Sequence, residues 1–197
     1  MKIRHLRVRW NGVEPEKGKF LIAEPFLTEP CFQRSVIFLV EHNEGGTMGF
    51  VVNKEEGVFD SGKLFDYYSV DAGELSAYCG GPLEESDLFF LHCLGDVIPG
   101  SVHIADGIYF GGDINAVLGY IAAGLPHEGA IKFFLGYSGW EAGQLMTELE
   151  QNTWLVAPAS RELLFRSDET NIWSDALKPL GSNYSLWKKY PLDPSLN

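Results

Sequence analysis

The sequence predicts an α/β fold with some mixed α+β character: one domain in which a mixed β-sheet is flanked by helices. Three observations carry that expectation. Residues 107–157 alternate short β-rich runs with helically spaced ones, in the order β-α-β-α-β. Val36–Val40 is five apolar residues in a row without two-face alternation, the pattern of a central strand covered on both faces. The chain has 197 residues, 45% of them hydrophobic and 13% aromatic, which suits a single domain, 1–197, with a substantial core.

The leader, 1–17, begins with a basic stretch (Lys2, Arg4, Arg7, Arg9) and reads as a frayed end or an edge strand. Gly18–Ala23 is the first strand, ended by Glu24-Pro25. Val36–Val40 follows, and the turn chemistry of His42–Gly46 returns Met48–Asn53 as a hairpin. Arg34, just ahead of the buried strand, is either a solvated strand end or an anchor for a carboxylate. Residues 54–76 are polar and turn-rich, with Leu64, Phe65 and Tyr68 on one short helix, and are placed to cover a cleft as a lid. Tyr78–Pro82 closes a strand in a Gly-Gly-Pro turn. Leu88–His92 is a strong strand and Ser101–Ile104 a weaker one.

Asp106–Asp113 then gives a strand (Ile108–Phe110), a Gly111-Gly112 turn and an N-cap at Asp113. Ile114, Val117, Leu118 and Ile121 share one helical face, and Gly124 with Pro126 stops that helix. Ile131–Leu135 is bounded by Gly129 and Gly136 and reads as a buried strand. Ser138-Gly139-Trp140-Glu141 fits the capping box S-x-x-E, with Ala142, Leu145, Met146 and Leu149 on the face of the helix it starts. Trp154–Ala157 is a strand stopped by Pro158. Two short helices at 161–165 and 172–177 and the aromatic stretch Tyr184–Trp187 pack the chain end back, and 191–197 is a peripheral extended tail.

If the strands of 107–157 are parallel neighbours, both helix starts gather at one sheet edge, where ligands of open α/β sheets bind. The candidate ligand site is therefore Tyr109, Gly111, Gly112, Asp113, Tyr137, Ser138, Gly139, Trp140 and Glu141. Asp113, Ser138 and Glu141 order its rim, while Tyr109, Tyr137 and Trp140 supply contact area. Gly-Tyr-Ser-Gly also approaches the hydrolase motif G-x-S-x-G, but Trp140 stands where the second glycine belongs. All five histidines (His5, His42, His92, His103, His127) precede Ser138, against the chain order of that fold. Capping is the favoured role for Ser138. The enzyme alternative is a hydrolase using Ser138 or Cys93 with His92 or His103, and no complete catalytic constellation is recognisable.

Neither G-x-G-x-x-G nor G-x-x-x-x-G-K-[ST] occurs at the glycine turns, and Asp113 and Glu141 already occupy the helix starts. That argues against a nucleotide. His92-Cys93 with His103, Asp106 and Asp113 lack metal-site spacing, so no metal and no cofactor are expected. Acids outnumber bases 27 to 15, for a net charge of −12, and the chain after residue 9 keeps all the acids with 11 of the bases. Such a surface repels phosphate backbones, which argues against direct nucleic-acid binding and leaves the basic leader as the one alternative route to DNA. No apolar run reaches the ~20 residues of a membrane span, and the leader lacks a signal-peptide apolar region. A cytoplasmic chain with three reduced cysteines is expected.

The blocks GKFLIAEPFL, RSVIFLVEHNEGGTMGFVVNK, YCGGP, LFFLH, DGIYFGGD, IKFFLGYSGWEAGQL and NTWLVAP, from residue 18 to 158, resemble the AlgH/YqgE family of bacterial proteins. The resemblance implies an α/β protein with a mixed sheet and carries over no agreed catalytic residues. One branch is called a transcriptional regulator of exopolysaccharide production, which this resemblance transfers only as a label. No helix-turn-helix signature accompanies it. Together these readings predict a binding or regulatory protein that acts through a protein partner or small ligand, with any effect on transcription indirect.

Overall fold

Both faces of the central strands are apolar because both are covered. The computed structural model describes residues 9–61 and 70–190. The expectations for the leader up to residue 8, for Leu64, Phe65 and Tyr68, and for the tail 191–197 fall outside these residues. In β1 (Lys19–Ala23) and β2 (Val36–Asn43), Phe20, Ile22, Val36, Phe38 and Val40 join one buried cluster. Leu21, Ala23, Ile37 and Leu39 join another on the opposite face. The two-residue period of a strand sends successive side chains to opposite faces, so an unbroken apolar run feeds two cores at once. Each fully buried side chain of this size contributes roughly 1.5–3 kcal/mol.

The strands following in the chain are β3 (Gly46–Val51), β4 (Glu55–Asp60), β5 (Glu74–Cys79), β6 (Leu83–His92), β7 (Val102–Ala105), β8 (Ile108–Phe110), β9 (Ile131–Glu141) and β10 (Trp154–Pro158). Their spatial order is β10-β1-β2-β3-β9-β6-β8-β7, with the β4–β5 hairpin joined through β5 to β9. Every pairing among the described residues is antiparallel except β5 with β9. The helices are α1 (Ile114–Ala122), α2 (Gln144–Glu150), α3 (Arg161–Leu164), α4 (Ile172–Ala176) and α5 (Ser182–Ser185). Helix α2 supplies Leu145 and Leu149 to the cluster that holds Leu39 and Trp154. Helices α3 and α4 cover the opposite face. Helix α1 covers a third cluster, built on Leu75, Phe90 and Phe133. No helix among the described residues is long and apolar enough to cross a membrane.

The mixed α/β domain stands, but the expected β-α-β-α-β unit does not form as one. Its elements occur in that chain order, yet β6 lies between β8 and β9, and three strands separate β9 from β10. Antiparallel partners from elsewhere in the chain occupy the places a parallel crossover would need. The described parts of 54–76 hold β4 and the start of β5, strands where the sequence suggested turn-rich chain.

Gly136 does not end a strand either. Strand β9 continues through it to Glu141, changing partner as it goes. Phe133–Leu135 pair with β5, and Ser138–Glu141 pair with β3. At the changeover Gly80-Gly81 lies directly on the β9 backbone. A Cβ at Gly136 (φ +68°) would stand 2.5 Å from the Gly81 carbonyl oxygen, and one at Gly81 only 2.2 Å from the Tyr137 carbonyl carbon. Glycine is required on both sides of that contact.

Arg34 is not a solvated end, and among the described residues it forms no ion pair with a carboxylate. Its guanidinium lies 5.0 Å over the Trp173 ring and donates to the Tyr190 carbonyl. Asn53 donates to the Arg34 carbonyl at 2.9 Å and accepts from Val36 N–H at 2.8 Å, clipping the left-handed turn ahead of β2.

Candidate functional site

The two glycine turns of the expected site lie far apart. Tyr109 pairs with His92, which pairs with Ile131, so the Gly111 turn is level with the beginning of β9. Trp140 and Glu141 stand at the other end of that strand, on the order of 25 Å away at about 3.3 Å per residue. The reason is the topology above: β8 and β9 are not neighbours, and β9 runs on past Gly136.

At the first turn Asp113 does cap α1, its carboxylate accepting from Asn115 N–H at 2.9 Å. Gly111 N–H donates to the Phe90 carbonyl and Asp113 N–H to the Pro99 carbonyl. A Cβ on Gly112 would meet Ser101 Oγ at 2.7 Å. Tyr109 stacks on His92, ring centroids 5.6 Å apart. His92 is fully buried: Nδ1 accepts from Leu94 N–H, and Nε2 faces Ser101 Oγ at 2.9 Å and the Gly111 carbonyl at 3.2 Å. Burial lowers its pKa, with the Gly111 carbonyl opposing that. A neutral imidazole protonated at Nε2 satisfies all three contacts. The turn is held by its own hydrogen bonds, with Gly112 and Asp113 exposed.

The second group behaves differently. Tyr137, Gly139, Trp140 and Glu141 line an open cleft of about 810 Å³, completed by the β2–β3 hairpin (Glu41 to Met48) and by Leu83, Glu84, Phe89 and Gln144. Met48, Leu83, Phe89 and Tyr137 make its floor apolar. Glu41, Glu84 and Glu141 set three carboxylates on its rim, and among the described residues no lysine, arginine or histidine lines it. A smaller cleft of about 420 Å³ lies against the same wall, sharing Leu83, Gly139, Trp140 and Gln144 and adding Leu27, Glu29 and Phe32. Strand β6 accounts for the opening. Its pairing with β9 skips from Leu88↔Leu135 to Leu83↔Tyr137 and stops there, so on that side no strand among the described residues pairs with Ser138–Glu141.

Ser138 lies behind this wall, with no solvent exposure, and its hydroxyl donates to the Gly80 carbonyl at 3.0 Å. It is not a cap. Helix α2 starts later, after Gly143 (φ +75°), and Gln144 Oε1 accepts from Glu141 N–H at 2.9 Å. Gly143 is the N-cap, so this contact closes the turn ahead of the helix and is not a capping box. The same burial removes Ser138 from reach as a nucleophile. Cys93 is half-buried, its thiol pushed up by burial against the opposing influence of Arg161. His103 packs edge-on against Tyr109, centroids 5.1 Å apart. No nucleophile–base pair is assembled from Ser138, Cys93, His92 and His103. No group of three His, Cys, Asp or Glu side chains among the described residues is placed to hold a metal ion.

Sequence reasoning passed over Glu148. Its Oε2 accepts both indole N–H groups, from Trp140 at 2.8 Å and Trp154 at 2.7 Å, and Oε1 accepts from Gln144 at 2.9 Å. One carboxylate thus fixes the wall between the two clefts. The available signal was two tryptophans flanking one short helix, each needing an acceptor once buried.

A family model described as AlgH-like matches residues 20–185. The UPF0301 protein of Parabacteroides distasonis is 44% identical over 192 residues, 97% of this chain and 96% of the relative. That of Bacteroides thetaiotaomicron is 41% identical over 191 residues, 97% and 96%. Among solved structures, the AlgH protein from Pseudomonas aeruginosa shares 32% identity at a TM-score of 0.67, covering 91% of this chain and 97% of that one. A Corynebacterium diphtheriae protein superposes at a TM-score of 0.70 with 23% identity, covering 90% and 94%, a likeness of fold alone.

Proposed function

This chain belongs to the AlgH-like family, and we propose that it is a binding protein whose acidic, aromatic-floored cleft holds a short basic segment of a protein partner. The observation that carries this reading is the cleft's composition: three carboxylates and, among the described residues, no cation above Met48, Leu83, Phe89 and Tyr137. An apolar floor with convergent polar groups is the usual form of a binding site, and a rim of one charge sign selects the opposite sign in the ligand. The open flank of β9 favours an extended segment, which could add to the sheet edge. In this reading the chain acts in the cytoplasm, and any effect on transcription passes through the bound protein. A net charge of −12 supports that indirect route over direct contact with DNA.

The test is amide-resolved NMR titration with two short peptides of equal length and aromatic content, one lysine- and arginine-rich and one glutamate-rich. The basic peptide is expected to shift resonances of residues 41–48 and 137–141 and the acidic one to leave them unchanged. Shifts with arginine amide alone, equal in extent to those with the basic peptide, would replace the protein segment by a small cation. Shifts confined to the acidic peptide, or none with either, would overturn the proposal.

A further inference from the structure

The β1–β2 loop brings Cys31 to Cys79, 48 residues away at the last position of β5. The two sulfurs are 3.6 Å apart, and neither thiol is fully buried. We propose that Cys31 and Cys79 are a reversible dithiol–disulfide pair, a modification site at which a low-molecular-weight disulfide oxidises this chain. Bonding requires the sulfurs to close to about 2.05 Å. A loop flanking a strand can make that movement more readily than two core strands.

The surroundings fit the chemistry. One thiol donates to the other, and this hydrogen bond is the main influence that lowers the Cys79 pKa to about 7 and raises that of Cys31. Lys54 faces both sulfurs and favours their ionised forms, while Glu56 opposes ionisation at both and Glu85 at Cys79. Cys79 also lines a small cleft of about 140 Å³ with Glu56, Gly81, Glu85 and Leu135, which gives a small reagent access from solvent. A thiol ionised near neutral pH, with a neighbour in reach to resolve the adduct, is the arrangement thiol–disulfide exchange needs.

The exchange balances without a further reagent. Cys79 thiolate attacks one sulfur of R–S–S–R, that S–S bond breaks, and R–S⁻ departs and takes up a proton. Cys31, deprotonated in turn, attacks Cys79 Sγ and expels the second R–S⁻. Two protein thiols are oxidised, R–S–S–R is reduced to two R–SH, and the protons from Cys31 and Cys79 end on those thiols. The product ties the β1–β2 loop, which carries Leu27, Glu29 and Phe32 of the smaller cleft, to the strand leading into the Gly80-Gly81 junction. The pair stands on its own geometry, whatever the larger cleft holds.

The full chain is equilibrated with oxidised and reduced glutathione over a range of ratios, trapped by alkylation and read by intact mass and peptide mapping. Oxidation is expected to remove two hydrogens, to join the peptides of Cys31 and Cys79, to leave Cys93 open to alkylation, and to reverse on reduction. Closing a loop of this length should raise Tm by on the order of 10 °C. Cys31→Ser should stop at a glutathione adduct on Cys79, and Cys79→Ser should not form the internal bond. Wild-type protein that keeps all three thiols alkylatable, accumulates a lasting adduct on Cys79, or bridges through Cys93 would overturn the pair.

Discussion

Lys132 is a buried amine on β9 with three backbone acceptors: the carbonyls of Val52 at 2.8 Å, Leu164 at 3.2 Å and Arg166 at 3.4 Å. Its Nζ lies 3.7 Å from the centre of the Tyr78 ring. It fastens the C-terminal helices to the sheet. Burial pushes its pKa down from 10.5 to about 7, against the opposing pull of Glu169 and Glu55. Between those two values the unfolded chain binds more proton than the folded one, so the unfolding free energy rises with pH across that window. Below it both states are protonated and the contribution is flat. Lys132→Met removes the titration. Urea unfolding from pH 7 to 10 should therefore show the stability difference moving steadily in favour of the wild type. Parallel curves would contradict the burial argument. Glu148 answers to a different measurement. Glu148→Ala leaves two buried indole N–H groups without an acceptor, at about 1.5–3 kcal/mol for each bond to a charged group. A loss of several kcal/mol and altered tryptophan fluorescence are expected; a loss below ~1 kcal/mol would mean that water replaces the carboxylate.

Strand β9 shows how one glycine changes an element's meaning. From Ile131 to Leu135 it is a buried strand between β5 and β6; from Ser138 onward it belongs with β3, and Gly136 makes the change possible. Gly136→Ala adds a Cβ within 2.7 Å of two carbonyl oxygens, those of Gly81 and Leu83, at a left-handed φ. A non-glycine residue held there costs about 1–3 kcal/mol before any clash is counted. Thermal and urea unfolding should show at least that loss, and an unchanged Tm would rule out the close crossing. The element also marks where sequence reading reached its limit. The cap at Asp113, the strand at Val36–Val40 and the apolar face of α2 were legible, because local chemistry and periodicity determine them. Gly136 looked like a strand end because a bulge and a turn share the same residue. Ser138-x-x-Glu141 looked like a capping box because that pattern does not register whether the serine is buried. What placed Ser138 inside the sheet was Gly80, a backbone partner 58 positions away.

At the scale of the molecule, pairing between distant segments decided the site. The family resemblance and the α/β class were readable from the chain, but strand order was not, since β6 intervenes between β8 and β9 without any local signal. The expected site was therefore divided: Tyr109 to Asp113 lie at a separate turn, while Tyr137, Gly139, Trp140 and Glu141 joined a cleft with a hairpin that sequence reasoning had not included in the site. Charge is the property that survives this rearrangement, because it depends on composition as well as placement. A chain of net charge −12 whose cleft rim carries Glu41, Glu84 and Glu141 presents a concentrated negative field to any approaching segment. The Debye length shrinks from about 10 Å at 0.1 M salt to about 3 Å at 1 M, so exposed carboxylates of this kind act strongly only in dilute salt. A basic peptide in the cleft should lose affinity as salt rises, mainly through a slower association rate. Replacing the three rim glutamates by glutamine should weaken binding roughly tenfold at low salt, at ~0.2–1 kcal/mol per exposed pair. It should also flatten the salt dependence while leaving Tm nearly unchanged, since none of the three enters an ion pair among the described residues. Isothermal titration calorimetry at 0.05 and 0.5 M salt reads both effects. An affinity that ignores salt and the triple substitution alike would put the ligand on the apolar floor alone and remove electrostatic selection from the mechanism.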